Sequence, residues 1–278
     1  MAILTNILTS IGALWLSSFL FKTARFIRIY MRRSSLPRYH HASSSGSPAW
    51  ALITGASDGI GSGYAHELAR HSFNLILHGR NPTKLLSVQK SILALYPTVQ
   101  IKLMVLDAST CSAAEIEREV AKLRELHVTV LVNNVGTGTT PSGHVFANLE
   151  DEETGDIDAL INTNARFPAL LTHFVLPLLL SHKKPALILN MGSISDTGSP
   201  YLSVYSATKA FDTAFSKALR REMKAEGTDV EVLAIMTAQV TGTGTNDEPV
   251  SVVMPDAGVF ARSALARVGV REGGSGRV

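Results

Sequence analysis

Residues 49–61 read AWALITGASDGIG, an apolar run that leads directly into a glycine-rich turn. The uncharged stretch Ala49–Thr54 predicts a buried strand that ends at Gly55. The following stretch, Gly59–His71, places apolar side chains at helical spacing and predicts a helix. Between a strand and a helix N-terminus, free backbone N–H groups and the positive end of the helix dipole can receive a phosphate.

The glycines of this turn have the spacing G-x3-G-x-G, and glycine allows the backbone to approach a pyrophosphate closely. A glycine-rich turn alone is equally typical of a structural turn, but its place between strand and helix favours a dinucleotide site. The residues predicted to bind the cofactor here are Gly55, Ser57, Asp58, Gly59, Ile60 and Gly61.

Strands and helices alternate along the rest of the chain. Further strands are predicted at Phe73–His78, Val99–Leu106, Val128–Val132, Ala186–Asn190 and Val230–Ile235. Further helices are predicted at Pro82–Leu95, Ala113–Leu126, Asp156–Leu180, Tyr201–Ala225 and Ala257–Val268. This order predicts an α/β fold, a single Rossmann-type doubly wound parallel sheet whose ligands bind at the carboxyl ends of the strands.

Composition excludes several classes of protein. Of the 278 residues 45% are hydrophobic and 18% are charged, which excludes global disorder. Cys111 is the single cysteine, which excludes an internal disulfide and a cysteine-built zinc module, and the nine histidines show no metal-ligand spacing. The net charge is +3, but six basic residues precede the first acid, Asp58, and the remainder carries 20 basic against 23 acidic residues. This slightly acidic body argues against a nucleic-acid partner.

The N-terminal segment predicts a membrane contact. Residues 1–21 carry no charge, and a span needs roughly 20 apolar residues. Basic residues follow this run instead of preceding it, which disfavours a cleaved signal peptide and places the body in the cytosol. We expect an anchor with its basic flank at 1–33, a Ser-, Pro- and His-rich linker at 34–48 and the catalytic domain at 49–278. An interfacial helix or a mitochondrial presequence are the alternatives.

The end of the second predicted strand favours NADP(H) over NAD(H). An NAD site usually has an acid there, whereas this chain has none between His78 and Asn81 and carries Arg80, which can pair with a 2′-phosphate. A solvated arginine at a helix start is the alternative. Asp107 ends the third strand, where it can meet the adenine ring or cap the next helix.

Tyr205 and Lys209 are four residues apart in a predicted helix and therefore share one face. A phenol is a weak acid with an ordinary pKa of about 10, and an adjacent ammonium favours its ionised form. Such a pair suits proton donation to a carbonyl oxygen that receives hydride, although the same spacing also occurs by chance in surface helices. Ser193 follows the strand Ala186–Asn190, and its hydroxyl can hydrogen-bond the same oxygen.

These residues together resemble the short-chain dehydrogenase/reductase family. The motifs that carry the resemblance are residues 54–61, Asn133-Asn134-Val135-Gly136, Asn164, Ser193 and Tyr205-Ser206-Ala207-Thr208-Lys209, within about residues 49–269. The resemblance implies a single Rossmann-type domain and NAD(P)(H)-dependent oxidation or reduction at a carbonyl carbon.

The resemblance also implies a role for each matching residue. Tyr205 is the implied general acid, Lys209 holds the nicotinamide ribose and Ser193 orients the substrate oxygen. Asn164 supports a water relay to the lysine, and Asn162 is the neighbouring alternative. Asn134 is expected near the adenosine ribose, in a motif that also steadies the central strand.

Within the family, the stretches GASDGIG, NNVG, ILNMGS and YSATKAF behind an apolar leader resemble the membrane-bound 3-oxoacyl-CoA reductase and 17β-hydroxysteroid dehydrogenase group. That likeness implies NADPH, the endoplasmic reticulum membrane contacted through residues 1–21, and a lipophilic ketone or alcohol as substrate. A second copy of the chain is the protein partner considered, as a homodimer. Alternatives are a secondary-metabolite ketoreductase of the polyketide or terpenoid type and an inactive NADP-binding relative.

The chain departs from the family pattern at three places. The interval from Ser193 to Tyr205 is one residue shorter than usual, which makes Ser195 an alternative to Ser193. The Pro-Gly pair usual after the sixth strand is absent. Val240 is predicted to provide the backbone contact to the nicotinamide amide there. The tail Gly269–Val278 is short, so we expect the last strand of the subgroup to be missing and substrate closure or stability to be weakened.

Overall fold

A parallel sheet of six strands forms the centre of the computed structural model, which describes residues 1–31, 33–243, 246–251 and 253–269. The strands are β1 (Ala49–Ile53), β2 (Asn74–Gly79), β3 (Ile101–Val105), β4 (His127–Asn133), β5 (Ala186–Met191) and β6 (Val230–Ile235). Their order is β3-β2-β1-β4-β5-β6, and each neighbouring pair is parallel.

Eight α-helices accompany the sheet in the described residues. They are α1 (Ala2–Met31), α2 (Gly59–Arg70), α3 (Pro82–Leu95), α4 (Ala113–Ala121), α5 (Thr154–Ile161), α6 (Phe167–Ser181), α7 (Ser203–Ala225) and α8 (Ala257–Leu265). The strand order reverses between β1 and β4, where a doubly wound sheet opens its ligand crevice. The predicted α/β Rossmann-type fold is confirmed.

The sheet is covered on both faces, which is why its strands are nearly continuous apolar runs. Every residue of β1, β2, β4, β5 and β6 is buried, while β3 at the edge has exposed positions. Apolar side chains of α2, α3 and α8 pack in one core cluster, and those of α4, α6 and α7 pack in a second.

The long helix predicted over Asp156–Leu180 is interrupted. A π-helical turn at Asn162–Arg166 separates α5 from α6, and the N–H of Phe167 donates to the carbonyl of Asn162. Pro168 has no N–H, so the carbonyl of Asn164 lacks the donor that a regular helix supplies four residues later. The prediction of one continuous helix is therefore wrong at the point where a side chain of the candidate site lies.

Two other helices are shorter than predicted. The helix predicted over Ala113–Leu126 ends at Ala121, and a turn in which the Leu126 N–H donates to the Leu123 carbonyl leads into β4. The helix predicted over Ala257–Val268 ends at Leu265. Most of the Gly269–Val278 tail lies outside the described residues, beyond Gly269.

The segment 34–48, predicted as a linker, packs on the domain in its first half. Leu36 and Tyr39 are buried in the same core cluster as α2 and α8. The Tyr39 hydroxyl donates to the carboxylate of Glu231, and Arg38 pairs with Asp229. These contacts join segment 34–48 to the amino end of β6, which lies at the end of the sheet opposite its ligand-binding edge.

Helix α1 contains the stretch Ala2–Ala24, which is long and apolar enough to cross a membrane by length and composition. The large apolar side chains of Ala2–Ala24 are exposed, and none of that stretch is buried against the domain. The predicted N-terminal hydrophobic helix is confirmed as a helix.

Candidate active site

The glycine-rich turn after β1 is held in a shape that side chains would obstruct. Gly55 has a φ of +64°, a region that favours glycine. A β-carbon on Gly61 would lie 2.6 Å from Nδ2 of Asn134 and closer still to the carbonyl oxygen of Gly55. The turn therefore has its bare backbone packed tightly at the start of α2, where the Asp58 carboxylate caps the helix by accepting from the Gly59 N–H.

Asn134 and Thr54 fasten this turn to the end of β4. Asn134 Nδ2 donates to the Thr54 carbonyl at 2.9 Å. The Thr54 hydroxyl oxygen accepts from the N–H groups of Asn134 and Val135, at 2.8 and 2.9 Å. In this structure the Asn134 side chain thus steadies the turn itself; its predicted place near an adenosine ribose stays a prediction.

Basic groups surround the end of β2. Arg80 is exposed immediately after the strand, and a β-carbon on Gly79 would lie 3.3 Å from the Ser57 hydroxyl oxygen, so Ser57 adjoins this strand end. Lys84 at the start of α3 donates to the Asp58 carboxylate at 3.1 Å. Two cations thus border the turn, and Asp58, the acid nearest to them along the turn, is already paired.

Asp107 follows β3 on the same edge of the sheet. Its carboxylate accepts from the N–H and the hydroxyl of Ser109, at 2.9 and 2.7 Å. The pKa of Asp107 is lowered: burial alone would raise it, and the Ser109 hydrogen bonds and the charge of Arg80 outweigh that effect. The Asp107 carboxylate is therefore ionised near Arg80, and it stabilises the loop after β3 through its bonds to Ser109.

His78 lies beneath the turn and was not singled out as a site residue from the sequence. It is fully buried, its ring stacks on Phe167 with centroids 4.8 Å apart, and its Nδ1 accepts from the Gly55 N–H at 3.4 Å. Burial lowers the pKa of His78 to about 4, so the ring is neutral near pH 7. A neutral imidazole thus supports the first glycine of the turn.

Tyr205 and Lys209 lie on the first turns of α7, on one face as predicted. The Tyr205 ring packs against the backbone after β4, where a β-carbon on Gly138 would lie 3.6 Å from it. The Lys209 Nζ lies 6.0 Å from the centroid of the Tyr205 ring. A phenol and an ammonium are therefore held side by side at the carboxyl ends of β4 and β5.

Lys209 is almost completely buried, with 5% of its surface exposed. Its Nζ donates to the Met191 carbonyl at 2.9 Å and to the Asp212 carboxylate at 3.1 Å. Burial raises the pKa of Asp212, and the adjacent Lys209 offsets part of that rise. The sequence shows the spacing of Lys209 and Asp212 on one helix, but spacing alone does not show that both side chains are buried.

Asn164 projects from the π-helical turn toward the same place. Its Oδ1 accepts from the Thr137 N–H at 2.9 Å, and its Nδ2 donates to the Thr137 carbonyl and the Thr208 hydroxyl. A β-carbon on Gly136 would lie 3.3 Å from Asn164 Oδ1 and 3.2 Å from Lys209 Nζ. Asn164 is fully buried, so between the two asparagines at 162 and 164 it is Asn164 that the fold brings beside Lys209.

Ser193 ends the loop after β5, and the structure separates it from Ser195. Ser193 is buried, and its hydroxyl oxygen accepts from the Ser195 N–H at 3.2 Å to cap a short 3-10 turn, Ile194–Thr197. That turn is tied to α7, because the Thr213 hydroxyl donates to Asp196 at 2.8 Å. Ser195 thus lies within the turn that Ser193 caps, whereas Ser193 faces inward.

The segment after β6 runs alongside this loop. The N–H of Ile194 donates to the Thr237 carbonyl, and Val240 is buried just before Thr241. The Thr241 N–H donates to Pro255, and the Ala257 N–H donates back to Thr241, which ties the start of α8 to this segment. The predicted backbone contact at Val240 stays a prediction, with Val240 held at the edge where it is expected.

The site residues predicted from the sequence thus lie along one edge of the sheet, at the carboxyl ends of its strands. The fold places Tyr205, Lys209 and Asn164 around the backbone of Gly136 and Gly138, which follow β4. The glycine turn follows β1, the strand next to β4, and Arg80 follows β2, one strand further from β4. Within the described part of the chain, no group of three or more His, Cys, Asp or Glu side chains is arranged to hold a metal ion.

Comparison with known proteins agrees with this arrangement. Residues 49–251 match the family model of the short chain dehydrogenases. The chain is 33% identical over 272 residues to very-long-chain 3-oxoacyl-CoA reductase of Aspergillus oryzae, covering 96% of this chain and 75% of that protein. It is likewise 33% identical to the enzyme of that name from Kluyveromyces lactis, covering 95% and 76% of the two chains.

Two solved structures resemble the fold. A short-chain dehydrogenase of Sphingobium yanoikuyae in complex with NADPH superposes with a TM-score of 0.67 and 26% identity, covering 78% of this chain and 83% of that one. The bulky-bulky ketone specific alcohol dehydrogenase of Comamonas testosteroni gives a TM-score of 0.65 and 27% identity, covering 78% and 80%.

Proposed function

The chain belongs to the short-chain dehydrogenase family of oxidoreductases, and from that premise we propose that it is an NADPH-dependent reductase of a ketone on a lipophilic substrate. The observation that carries the proposal is the placement of Tyr205, Lys209 and Asn164 around Gly136 and Gly138, with Ser193 on the neighbouring loop. A 3-oxoacyl-CoA or a keto-steroid is the substrate class expected.

The residues present fit a nicotinamide dinucleotide. Gly55 and Gly61 leave the cradle at the start of α2 without β-carbons, and α2 presents its N-terminus there, so backbone N–H groups can hold a pyrophosphate. Lys209 uses two of its three donors on Met191 and Asp212, which leaves one for a ribose hydroxyl. When bound, the nicotinamide supplies the hydride.

The protein's own groups handle the proton. In the proposed reduction Tyr205 donates its phenolic proton to the ketone oxygen while the Ser193 hydroxyl hydrogen-bonds that oxygen, so that hydride and proton together convert the carbonyl to an alcohol. The Lys209 ammonium stabilises the phenolate that remains. Asn164, bonded to Thr137 and Thr208, is placed beside Lys209 to support the return of a proton from water.

The preference for NADPH rests on the end of β2. Arg80 and Lys84 border the glycine turn, and the hydroxyl of Ser57 adjoins Gly79 at the end of β2. A 2′-phosphate carries negative charge that guanidinium and ammonium groups bind and that an acid would repel. The NADPH complex of the Sphingobium yanoikuyae relative supports the same choice.

A lipophilic substrate is supported by apolar side chains at the rim of the site. Val145 and Phe146 are exposed on the segment that follows β4, and Phe146 has 67% of its surface accessible. Tyr201, just before α7, is exposed as well, and the Ala147 N–H donates to its carbonyl. The names of the relatives point to a long acyl chain as the group that would cover such a rim.

Helix α1 leads to a proposal for location. An apolar helix followed by basic residues supports insertion with the domain on the cytosolic side, and the endoplasmic reticulum is the membrane proposed, with the mitochondrion as the alternative. Membrane contact is proposed through residues 1–21. Carbonate extraction of the full chain from microsomes, with protease protection of a C-terminal tag, tests both insertion and orientation.

A second copy of the chain is the protein partner proposed. The outer face of α5 and α7 exposes Ile161 and Phe211 beside a shallow apolar groove. Exposed apolar patches of this kind mark association surfaces in soluble domains. Light scattering of purified protein should give twice the mass of one chain, and Phe211→Asp should return the mass to that of one chain.

One screen tests the proposed function. Purified full-length protein is incubated with NADPH and a 3-oxoacyl-CoA, a keto-steroid or a polyketide ketone, and loss of NADPH absorbance is followed. The expected result is turnover with a long-chain 3-oxoacyl-CoA or a keto-steroid that is lost in Tyr205→Phe. Turnover that Tyr205→Phe retains in full, or NADPH oxidation by none of these ketones, would contradict the proposal.

A further inference from the structure

A buried carboxylate faces the lysine of the proposed proton-donating pair. Asp212 lies three residues after Lys209 on α7, and each residue has 5% of its surface exposed. Their charged atoms, Nζ and Oδ2, are 3.1 Å apart. Because a carboxylate loses its water on burial, an ion pair at this depth acts through a low local dielectric and is screened little by salt.

The position of Asp212 is fixed by backbone and side-chain contacts beyond Lys209. Its carbonyl accepts from the Ser216 hydroxyl, which in turn accepts from Asn190 Nδ2 at 2.8 Å. Asn190 accepts from Asn133 at the end of β4. The backbone of Asp212 is thus joined to a buried network that connects α7 to β4 and β5, and its carboxylate accepts from Lys209.

The other charged groups on elements packed against α7 have partners of their own or are exposed. Asp196 on the 3-10 turn accepts from Thr213, and Arg166 on the π-helical turn donates to the carbonyl of Cys111. Glu231 lies near the amino end of β6, where Tyr39 donates to it. On α5, Asp156 is bonded to Ser142 and Asp158 is exposed. Among the described residues, Lys209 is the charge that lowers the pKa of Asp212, while burial raises it.

The ion pair determines what Lys209 can do for Tyr205. One Lys209 donor goes to Met191 and one to Asp212, and Nζ faces the backbone of Gly136. An ammonium without a counter-charge would favour the phenolate more strongly, so the phenol that ketone reduction needs would ionise at lower pH. A carboxylate at 3.1 Å offsets that field while it leaves the ammonium in place.

We propose that Asp212 is a positioning residue that holds Lys209 and compensates its charge, so that Tyr205 remains a protonated donor to higher pH. This inference rests on the proposed reductase function. Reduction needs the phenol and oxidation needs the phenolate. The buried pair therefore widens, on the alkaline side, the pH range in which ketone reduction proceeds and narrows the range for alcohol oxidation.

The kinetic test compares Asp212→Asn with Asp212→Glu in the full-length protein. Asn removes the charge but keeps the volume and an acceptor for Lys209, whereas Glu keeps the charge. In Asp212→Asn we expect the alkaline fall of kcat/KM for NADPH-dependent ketone reduction to move to lower pH by roughly one to two units. Asp212→Glu should return the fall toward the wild-type pH, and Glu222→Gln, which removes an exposed charge from the same helix, should leave it unchanged.

A spectroscopic measurement gives the same answer without catalysis. The tyrosinate absorbance of each protein is titrated with pH. The absorbance of the same protein with Tyr205→Phe added is subtracted, so that the difference reports the Tyr205 ring alone. Asp212→Asn should form this tyrosinate at lower pH than wild type by a similar shift. If Asp212→Asn does not fold, a carbon-13 titration of the Asp carboxyls in wild type, assigned through Asp212→Glu, decides whether Asp212 is ionised near pH 7, as the inference requires.

The outcomes separate the two proposals. A wild type that reduces ketones, together with an Asp212→Asn profile and tyrosinate titration that match it, would overturn the role of Asp212 and leave the proposed function intact. A wild type that reduces no ketone would overturn the proposed function, and the tyrosinate titration would still decide the role of Asp212. A protonated Asp212 near pH 7 in wild type would also overturn the inference.

Discussion

A β-carbon on Gly61 would lie 2.6 Å from Nδ2 of Asn134, the same atom that donates to the Thr54 carbonyl. The glycine at 61 and the amide at 134 therefore depend on each other. The amide can fasten the turn only because position 61 has no side chain, and the proposed pyrophosphate cradle exists only while the turn is fastened. Dinucleotide binding at this edge is thus built from contacts between β1, α2 and β4.

Gly61→Ala should weaken NADPH binding. Overpacking of this kind costs about 1–3 kcal/mol, which corresponds to roughly five- to 150-fold in the dissociation constant if the turn opens to accommodate the methyl group. Quenching of protein fluorescence by NADPH measures the constant. Gly155→Ala is the matched control, because a β-carbon there meets nothing within 4 Å, and it should bind as wild type. Unchanged affinity in Gly61→Ala would contradict the cradle.

Arg80→Ala should reduce the preference for NADPH over NADH. Loss of a charge-assisted contact to a 2′-phosphate is worth about 1.5–3 kcal/mol, or roughly ten- to a hundredfold in the ratio of the two kcat/KM values. NADH values should change little. Arg118→Ala removes an exposed arginine from α4 and should leave the ratio as it is. An Arg80→Ala protein with the wild-type ratio would place the 2′-phosphate contact elsewhere.

Tyr39→Phe should destabilise the domain by about 1–3 kcal/mol, because it removes a buried hydrogen bond to the Glu231 carboxylate. Urea denaturation followed by circular dichroism measures the loss. Tyr201→Phe, at an exposed tyrosine, is the control and should unfold as wild type. If both variants unfold alike, the segment around Tyr39 contributes little to the fold and behaves as the solvated linker that its composition predicts.

His78 should make the protein less stable as the pH falls from about 6.5 to about 4. Its pKa is lowered to about 4 by burial, so in this window the unfolded chain binds a proton that the folded chain does not. The stability that the neutral ring contributes is present above the ordinary histidine pKa and is lost as the pH falls through that window.

The loss of stability expected from His78 is about 3 kcal/mol. It is measured by comparing the unfolding free energies of wild type and His78→Asn at pH 7 and pH 4.5. The variant should lose less stability than wild type between the two pH values. His173→Gln, at an exposed histidine, should lose as much as wild type. Equal losses in His78→Asn and wild type would mean that the pKa of His78 is the same in the folded and the unfolded chain.

The fold could be predicted because local signals and the sheet agree. The stretch 49–61 carries local signals for a buried strand, a glycine turn and a helix start, and the observed bounds of β6 are the predicted ones, Val230–Ile235. Tyr205 and Lys209 could be paired because helical spacing alone places them on one face. These features depend on residues near one another in the chain.

Features that depend on distant contacts were missed. The π-helical turn arises where Pro168 removes a helical donor and Asn164 pairs with Thr137, a contact between segments far apart in sequence. The packing of Tyr39 depends on Glu231, almost two hundred residues later, so the composition of its segment alone predicts a linker. Asp212 is different: its spacing from Lys209 was visible, but only burial gives the pair its meaning.

The most direct test of the central claim is the turnover of Tyr205→Phe with NADPH and the best ketone found for wild type. General acids contribute typically about a hundred- to ten-thousandfold, so the account predicts a loss of at least a hundredfold in kcat, with the dissociation constant for NADPH nearly unchanged. A Tyr205→Phe protein that reduces the ketone at the wild-type rate would contradict the account.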